Sequence, residues 1–297
     1  MLDVRKLRLL RELAHRGTIA AVADALSYTP SAVSQQLTAL EREAGVPLLE
    51  RTGRRVLLTP AAHLLVGHTE TVLAALERAD AELACARDEL VGTLRIGAFP
   101  TAARTLLSPA LVTLSTDHPR LELTVTEIDP AEVPDALRAG ILDIALTHDY
   151  DLVPATPDAA LRTEPLHSET VHLATRTPAG TSDPLRAQVE SPWIAGTPGT
   201  LCHTVTLRVC QAAGFTPRIR HHADDFTTVL ALVAAGAGAA IVPAMALHSP
   251  PAAVTLTPLP IRRHTYLAHR NGTDAHPAVQ AARTALRAAA DRTDPGG

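Results

Sequence analysis

Four short polar side chains on one predicted helix have the chemistry to read the edges of base pairs. Thr29 followed by Pro30 predicts a helix start, because threonine caps the first amide groups and proline fits the first helical turn. At about 100° per residue, the face opposite the apolar stripe, with its edge, carries Ser31, Ser34, Gln35 and Thr38. Hydroxyl and amide groups of this kind exchange hydrogen bonds with base edges in a DNA groove.

Three arginines follow this helix in a predicted hairpin. Residues 47–51 and 56–58 predict two strands around a turn at 52–53. The arginines near the tip are Arg51, Arg54 and Arg55. Arginines on such a wing contact phosphates or enter a narrow minor groove. For any one of them, the alternative is a solvated turn on an ordinary helical domain.

Two earlier helices must position this surface. The first is predicted over residues 4–15, with a cap at Asp3 and a stop at Gly17. The second is capped by Thr18 and is expected to turn Val22, Ala25 and Leu26 inward. Three short helices followed by a basic hairpin are typical of a winged helix–turn–helix that reads duplex DNA.

A long helix is predicted over residues 60–87, about 40 Å at 1.5 Å per residue. Its apolar positions repeat every three and four residues over about four heptads, which favours pairing with another helix. One column comprises Thr69, Leu76, Leu83 and Leu90, and the other Leu65, Val72, Ala79 and Ala86. A helix packed on its own domain is the alternative.

Composition bounds the rest of the chain. A length of 297 residues indicates two or three domains. Residues 1–60 hold nine Lys or Arg against six Asp or Glu, a charge of +3, so the remainder sums to −7. A basic head on an acidic body fits a nucleic-acid-binding module joined to something else. Apolar runs stay short of a membrane span, and the charged N-terminus does not resemble a secretory signal. We therefore expect a cytoplasmic protein.

The cysteines and histidines predict neither a disulfide framework nor a metal site. Three cysteines, Cys85, Cys202 and Cys210, are an odd count without an export signal, so we expect reduced thiols. The fourteen histidines show no zinc-ligand spacing. We expect no metal and no cofactor.

From residue 91 the pattern alternates between strands and helices, which predicts an α/β domain with a mainly parallel sheet. Strands are expected at 94–98, 121–128, 141–146, 171–175, 193–195, 218–222, 239–242 and 265–269. Helices are expected at 102–115, 131–139, 201–213, 226–235 and from about 277. A second α/β unit is expected to begin near residue 164, which gives two lobes and a cleft between them.

Two loops in this body have the chemistry of a ligand site. Phe99–Pro100–Thr101 and Gly196–Thr200 each lead into a predicted helix. Free amide groups at a helix start and threonine hydroxyls bind carboxylates or other small polar groups. The candidates are Phe99, Thr101, Thr197 and Thr200. Simple helix capping is the alternative for each threonine.

Residues 7–61, LRLLRELAHRGTIAAVADALSYTPSAVSQQLTALEREAGVPLLERTGRRVLLTPA, resemble the N-terminal domain of the LysR-type transcriptional regulators. The resemblance includes the Ser-x-Gln-leucine core of helix three and the wing E-R-x-x-R-x-V-x-L-T-P. By position it implies that Pro30, Ser31, Ser34 and Gln35 approach bases and that Arg54 is the wing arginine. Many members carry arginine at the position of Gln35, so the preferred bases are expected to differ.

The rest of the chain resembles the effector domain of the same family, on the segments GTLRIGA and LVAAGAGAAIVP. The resemblance implies an all-α winged helix–turn–helix domain (residues 1–58), a linker helix (59–90) and an α/β bilobed effector domain like type 2 periplasmic binding proteins (91–297). Lobe I would span about 91–163 and 267–297, and lobe II about 164–266. Family position also places Thr147 and His148 at the cleft.

The same resemblance implies how the chain works. It would form an antiparallel homodimer through the linker helix, and a dimer of dimers, on double-stranded DNA at an interrupted palindrome. An unidentified small-molecule effector in the cleft would modulate it.

Two other functions stay open. Cys202 and Cys210 fall where peroxide-sensing members of the family carry a cysteine pair, at similar but not identical spacing, so a thiol-based redox sensor is the alternative regulator. About 12 Å would separate them along one helix. An enzyme or solute-binding protein is disfavoured, since no nucleophile elbow, phosphate loop or zinc motif is found.

Overall fold

The computed structural model describes residues 1–52, 55–86, 90–177 and 183–293. The chain divides into two units, Met1–Asp88 with Arg270–His276, and Glu89–His269 with Pro277–Gly297. None of the described helices is long and apolar enough to cross a membrane.

Unit 1 is a three-helix domain with a hairpin and a long helix. Its elements are α1 (Val4–Arg16), α2 (Ile19–Leu26), α3 (Pro30–Ala44), β1 (Leu49–Thr52), β2 (Arg55–Leu58) and α4 (Pro60–Cys85). The predicted caps are confirmed: Asp3, Thr18, Thr29 and Thr59 each accept a hydrogen bond from a backbone amide of the helix that follows. The core of the unit contains Leu10, Leu13, Val22, Val33, Leu37 and Leu40.

One local prediction in unit 1 needs correction, on the inward face of α2. Val22 is buried and Leu26 is half-buried against the core, as predicted, but the buried alanine is Ala23, and Ala25 is half-buried. The turn after α2 has no glycine, and Ser27 adopts the left-handed conformation there (φ 57°). Helix α4 ends at Cys85, close to the predicted end near residue 87, which itself lies outside the described residues.

Unit 2 is built on one eight-stranded mixed sheet, in which four of the seven neighbouring strand pairs are parallel, in line with the mainly parallel sheet predicted. The strands are β3 (Gly92–Ala98), β4 (Leu121–Glu127), β5 (Ile144–Tyr150), β6 (Leu161–Thr175), β7 (Pro192–Ala195), β8 (Arg218–His222), β9 (Ala239–Pro243) and β10 (Thr255–Arg270), in spatial order β4-β3-β5-β10-β6-β9-β7-β8. Parallel pairs lie at both ends, β3 with β4 and β5, and β7 with β8 and β9. The long strands β6 and β10 join these ends through antiparallel pairs.

Helices alternate with the strands along the chain and pack on the sheet. They are α5 (Pro100–Ala102), α6 (Ser108–Asp117), α7 (Val133–Ala139), α8 (Leu201–Ala212), α9 (Phe226–Ala234) and α10 (Pro277–Thr293). A π-helical turn, Ala103–Leu107, connects α5 to α6, so the predicted helix over 102–115 contains an irregular turn.

Strand bounds were the least accurate predictions. The strand predicted at 141–146 begins at Ile144, because Gly140 ends α7 and the amides of Ile141 and Leu142 still bond back to Ala136. Strands β6 and β10 begin ten residues before the predicted starts at 171 and 265. Many of these added residues alternate between buried and exposed, or are half-exposed, and so lack a continuous apolar run.

Candidate functional site

The polar face of α3 has the exposure that base contact requires. Pro30, Ser31, Gln35 and Thr38 are exposed, and Ser34 is half-buried at the edge of this face. The Ser31 hydroxyl lies 3.1 Å from that of Thr29, and the Thr38 hydroxyl donates to the carbonyl of Ser34 at 3.0 Å. Both are short local bonds that leave the hydroxyl oxygens as acceptors.

Buried residues hold this face in place from below. Val33, Leu37 and Leu40 are fully buried against α1 and α2. Glu41 accepts hydrogen bonds from the amides of Leu48 and Leu49, at 2.9 and 3.0 Å, which ties the end of α3 to the start of the hairpin. Packing of the opposite face and the Glu41 hydrogen bonds therefore fix the orientation of the polar face on the domain core.

The predicted wing exists as an antiparallel hairpin. Leu49 pairs with Leu58, and Thr52 with Arg55. Arg51 and Arg55 lie on the two paired strands, whereas Arg54 lies outside the described residues. Sequence reasoning missed Tyr28, an exposed aromatic (48%) two residues before α3. An aromatic ring between two helices is usually read as core, which is why the pattern did not single it out.

Helix α4 presents an apolar face that unit 1 does not cover. Val72, Leu76 and Leu83 are 39%, 47% and 67% exposed. Three predicted heptad positions do not lie on this free face. Thr69 is buried, Leu65 is half-buried against the core of unit 1, and Leu90 lies beyond the end of α4 and packs against the core of unit 2. Large exposed apolar side chains repeated along a helix mark an interaction face.

A cavity of about 500 Å³ lies in unit 2, beside the ends of β5 and β10. Of the six predicted ligand residues, Thr147 and His148 line it. The loop residue Gly199 and the first residue of α8, Leu201, line it too. This volume is in the range of small-molecule sites.

The other four predicted residues lie apart from the cavity lining. Phe99 and Thr101 are buried, and the Phe99 ring stacks edge-on against His148 at 4.5 Å. Thr197 bonds to Asp224 through its amide (2.8 Å) and its hydroxyl (2.6 Å), and Thr200 caps α8. Helix capping is thus observed for Thr200, whereas Thr197 is held by Asp224, and contact of either threonine with a ligand stays a prediction.

A buried ion pair that the sequence did not reveal stands behind His148. Arg263 on β10 is fully buried, and its guanidinium lies 2.7 Å from a carboxylate oxygen of Glu169. It also donates to the Thr101 hydroxyl at 3.0 Å and lies over the Phe99 ring. Burial and the positive charge of Arg263 hold the pKa of His148 well below its ordinary value, so this imidazole is neutral. Arg263 and Glu169 are 94 positions apart in the sequence, so no local pattern predicts that they pair.

Both predicted cysteines of the effector domain lie on α8 and are free thiols. The Cys202 sulfur lies 4.0 Å from the Tyr150 hydroxyl. Burial raises the pKa of Cys202, against an opposing effect of Arg263, and raises the pKa of Cys210 to about 12. Both are therefore protonated thiols near neutral pH.

Family models match both parts of the chain. Residues 4–63 match the bacterial regulatory helix-turn-helix protein, lysR family, and residues 87–291 match the LysR substrate binding domain. A probable hydrogen peroxide-inducible genes activator of Streptomyces viridosporus is 31% identical over 259 residues, 82% of this chain and 81% of that protein. The nitrogen assimilation regulatory protein nac of Klebsiella aerogenes is 29% identical over 84% of this chain and 80% of its own length.

A solved structure supports the same assignment. The OxyR C206 mutant of Corynebacterium glutamicum is 26% identical, with a TM-score of 0.58, and the match covers 98% of this chain and 92% of that one. Because the substrate-binding model alone covers more than half of the sequence, the chain belongs to the LysR family of DNA-binding transcriptional regulators.

Proposed function

We propose that this regulator binds an interrupted palindrome as a dimer or a dimer of dimers and responds to a small molecule bound in the cavity of unit 2. Residues 1–58 would read DNA, 59–90 would pair the protomers, and 91–297 would bind the effector. Within the last part, about 91–163 and 267–297 would form lobe I and 164–266 lobe II. It would act in the cytoplasm, where chromosomal DNA lies, and not as an enzyme.

One observation carries the DNA-reading function. Over its N-terminal half, the exposed face of α3 carries uncharged donors and acceptors, and the hairpin that follows has three arginines in the sequence around its tip. We assign base contact to Pro30, Ser31, Ser34, Gln35 and Thr38, and phosphate contact to Arg51, Arg54 and Arg55. Phosphate contacts supply affinity and register, and base contacts supply sequence preference.

Gln35→Ala is expected to weaken binding to the operator about 10-fold or more, because a good base contact contributes about 1–3 kcal/mol. The measurement is gel retardation on DNA from upstream of the regulator's own coding sequence, beside a random duplex. Gln36→Ala is the matched control, since it removes the same group from an exposed neighbour on the same helix. Equal effects of the two substitutions would refute the assignment of Gln35.

The apolar face of α4 supports dimerisation through this helix. We expect Leu76→Gln with Leu83→Gln to produce monomers, because two exposed leucines would leave the pairing face. Sedimentation velocity measures the change, and Thr71→Gln, an exposed site on the same helix, is the control. A double variant that stays dimeric would place the interface elsewhere.

Effector binding is assigned to Thr147 and His148 at the cavity, with Phe99, Thr101, Thr197 and Thr200 as the other predicted contacts. The cavity supports the first two directly. An effector that binds two arrangements of the dimer on DNA with different affinity shifts the balance between them.

Redox sensing is the second candidate function. Its support is the position of Cys202 near Tyr150 and under the influence of Arg263, together with similarity to peroxide-inducible activators. The raised pKa values of both thiols argue against it, because the thiolate is the species that reacts with peroxide.

We therefore expect Cys202→Ser to keep the response of DNA binding to cell extract, and peroxide to have no effect on either protein. Footprinting of both proteins on the upstream DNA, with extract or with hydrogen peroxide, measures this. A peroxide-dependent footprint in the natural protein that Cys202→Ser abolishes would establish the redox function instead.

A further inference from the structure

We propose that the effector of this regulator carries a protonated amine beside an apolar body, and that Asp149 receives the amine. This inference rests on the proposed binding of the effector in the cavity of unit 2. The charges that line the cavity indicate the chemical class of the effector.

Asp149 is a buried carboxylate (8% exposed) on the wall of the cavity. One oxygen accepts from the Tyr266 hydroxyl at 3.2 Å, and the other from the Ala155 amide at 3.0 Å. Both donors are neutral. Throughout the part of the chain that the structure describes, Asp149 has no Lys, Arg or His within ion-pair distance. A buried charge without a countercharge is costly, so the site favours a ligand that supplies one.

The other ionisable residues that line the cavity do not compensate the charge of Asp149. Asp158 also lines the cavity, but it is already paired with Arg138. His148 is neutral. No Lys or Arg is among the described residues that line the cavity. A carboxylate ligand would thus meet a like charge at Asp149 and no cation.

Arg263 does not offer an anion site in this cavity. Along β10, Arg263 and Thr265 are buried on one face, while Tyr266 and Ala268 line the cavity. Consecutive residues of a strand point to opposite faces. The charge of Arg263 is also compensated by Glu169.

The rest of the lining is mainly apolar and fits a hydrophobic body. Val133, Pro134, Pro157, Leu161 and Leu201 form much of it, and the Tyr266 ring adds an aromatic surface. A pocket of this kind binds a ligand by apolar burial and orients it with few polar groups.

Isothermal titration calorimetry of the 297-residue chain with three aromatic probes of similar size tests the inference. The probes are benzylamine, benzyl alcohol and benzoate, which differ in charge at neutral pH. We expect benzylamine to bind most tightly and benzoate most weakly. Asp149→Asn is expected to weaken benzylamine about 10-fold or more, and benzyl alcohol by less than about two-fold, because only the amine loses a charge-assisted bond.

Asp151→Asn is the matched control, since Asp151 pairs with His264 and does not line the cavity. It should leave the affinities for all three probes unchanged. Retained benzyl alcohol binding shows that Asp149→Asn is folded. Tighter binding of benzoate than of benzylamine, insensitivity of benzylamine to Asp149→Asn, or no binding of any probe would each overturn the inference. Binding of the protein to the operator, measured by gel retardation, tests the proposed regulatory function independently of these probes.

Discussion

Arg263→Met is expected to lower the free energy of unfolding of unit 2 by about 3–5 kcal/mol, the range seen when one partner of a buried ion pair is removed. Arg263 is fully buried and bonds to Glu169 through two nitrogens, each 2.7 Å from the same oxygen. Methionine keeps an apolar chain over Phe99 but leaves the Glu169 carboxylate without its cation. The loss of stability therefore comes mainly from the buried Glu169 carboxylate that no longer has a cation beside it.

The double variant Arg263→Met with Glu169→Gln separates charge from packing. Glutamine keeps an acceptor for the Met245 amide, which donates to Glu169. No ion then remains buried at this position, so we expect the double variant to recover most of the loss. Urea unfolding is followed by the fluorescence of Trp193, the single tryptophan, which is buried in unit 2.

Additive losses in this cycle would contradict the ion-pair argument, because coupled partners show a large interaction energy. The matched control is Arg262→Met on the same strand. Arg262 is exposed and bonds to Ser168, so its loss should cost less than about 1 kcal/mol.

Local signals explain why unit 1 could be predicted from its sequence. Thr29 before Pro30, and Thr59 before Pro60, cap their helices, and the side chain of each threonine accepts a hydrogen bond from the backbone amide three residues further along. The face of α3 follows from a 3.6-residue period alone. Such signals depend only on residues close together in the sequence. The predicted exposure of Ser31, Gln35 and Thr38 therefore agrees with the structure.

The chemistry of the cavity could not be predicted in the same way. Asp149 and Tyr266 are 117 residues apart, and only the antiparallel register of β5 and β10 brings them together. Arg263 and Glu169 are 94 residues apart and come from two strands whose lengths the pattern underestimated. The loop threonines could be predicted because helix starts have a local signature, and helix capping accounts for Thr200 among them.

Gly272→Ala tests a contact in unit 1 that depends on a missing side chain. Gly272 has φ +95°, and a Cβ there would lie 2.2 Å from the carbonyl oxygen of Ala74 on α4. Backbone cannot yield as a flexible side chain does. We expect the segment 270–276 to leave α4, which breaks the bond of 2.7 Å between Arg270 and Glu77. The combined clash and left-handed strain amount to about 2–5 kcal/mol.

Hydrogen exchange of peptides covering 270–276 and the middle of α4 measures this release, together with thermal unfolding. Gly17→Ala is the control, because Gly17 has a similar positive φ (+75°) in the same unit and nothing within 4 Å of an added Cβ. It carries only the backbone strain, about 1–2 kcal/mol. If the segment 270–276 exchanged equally slowly in both variants, the steric argument would be wrong. Faster exchange in Gly272→Ala alone would show that the absence of a side chain, and not the glycine backbone, keeps this segment on the helix.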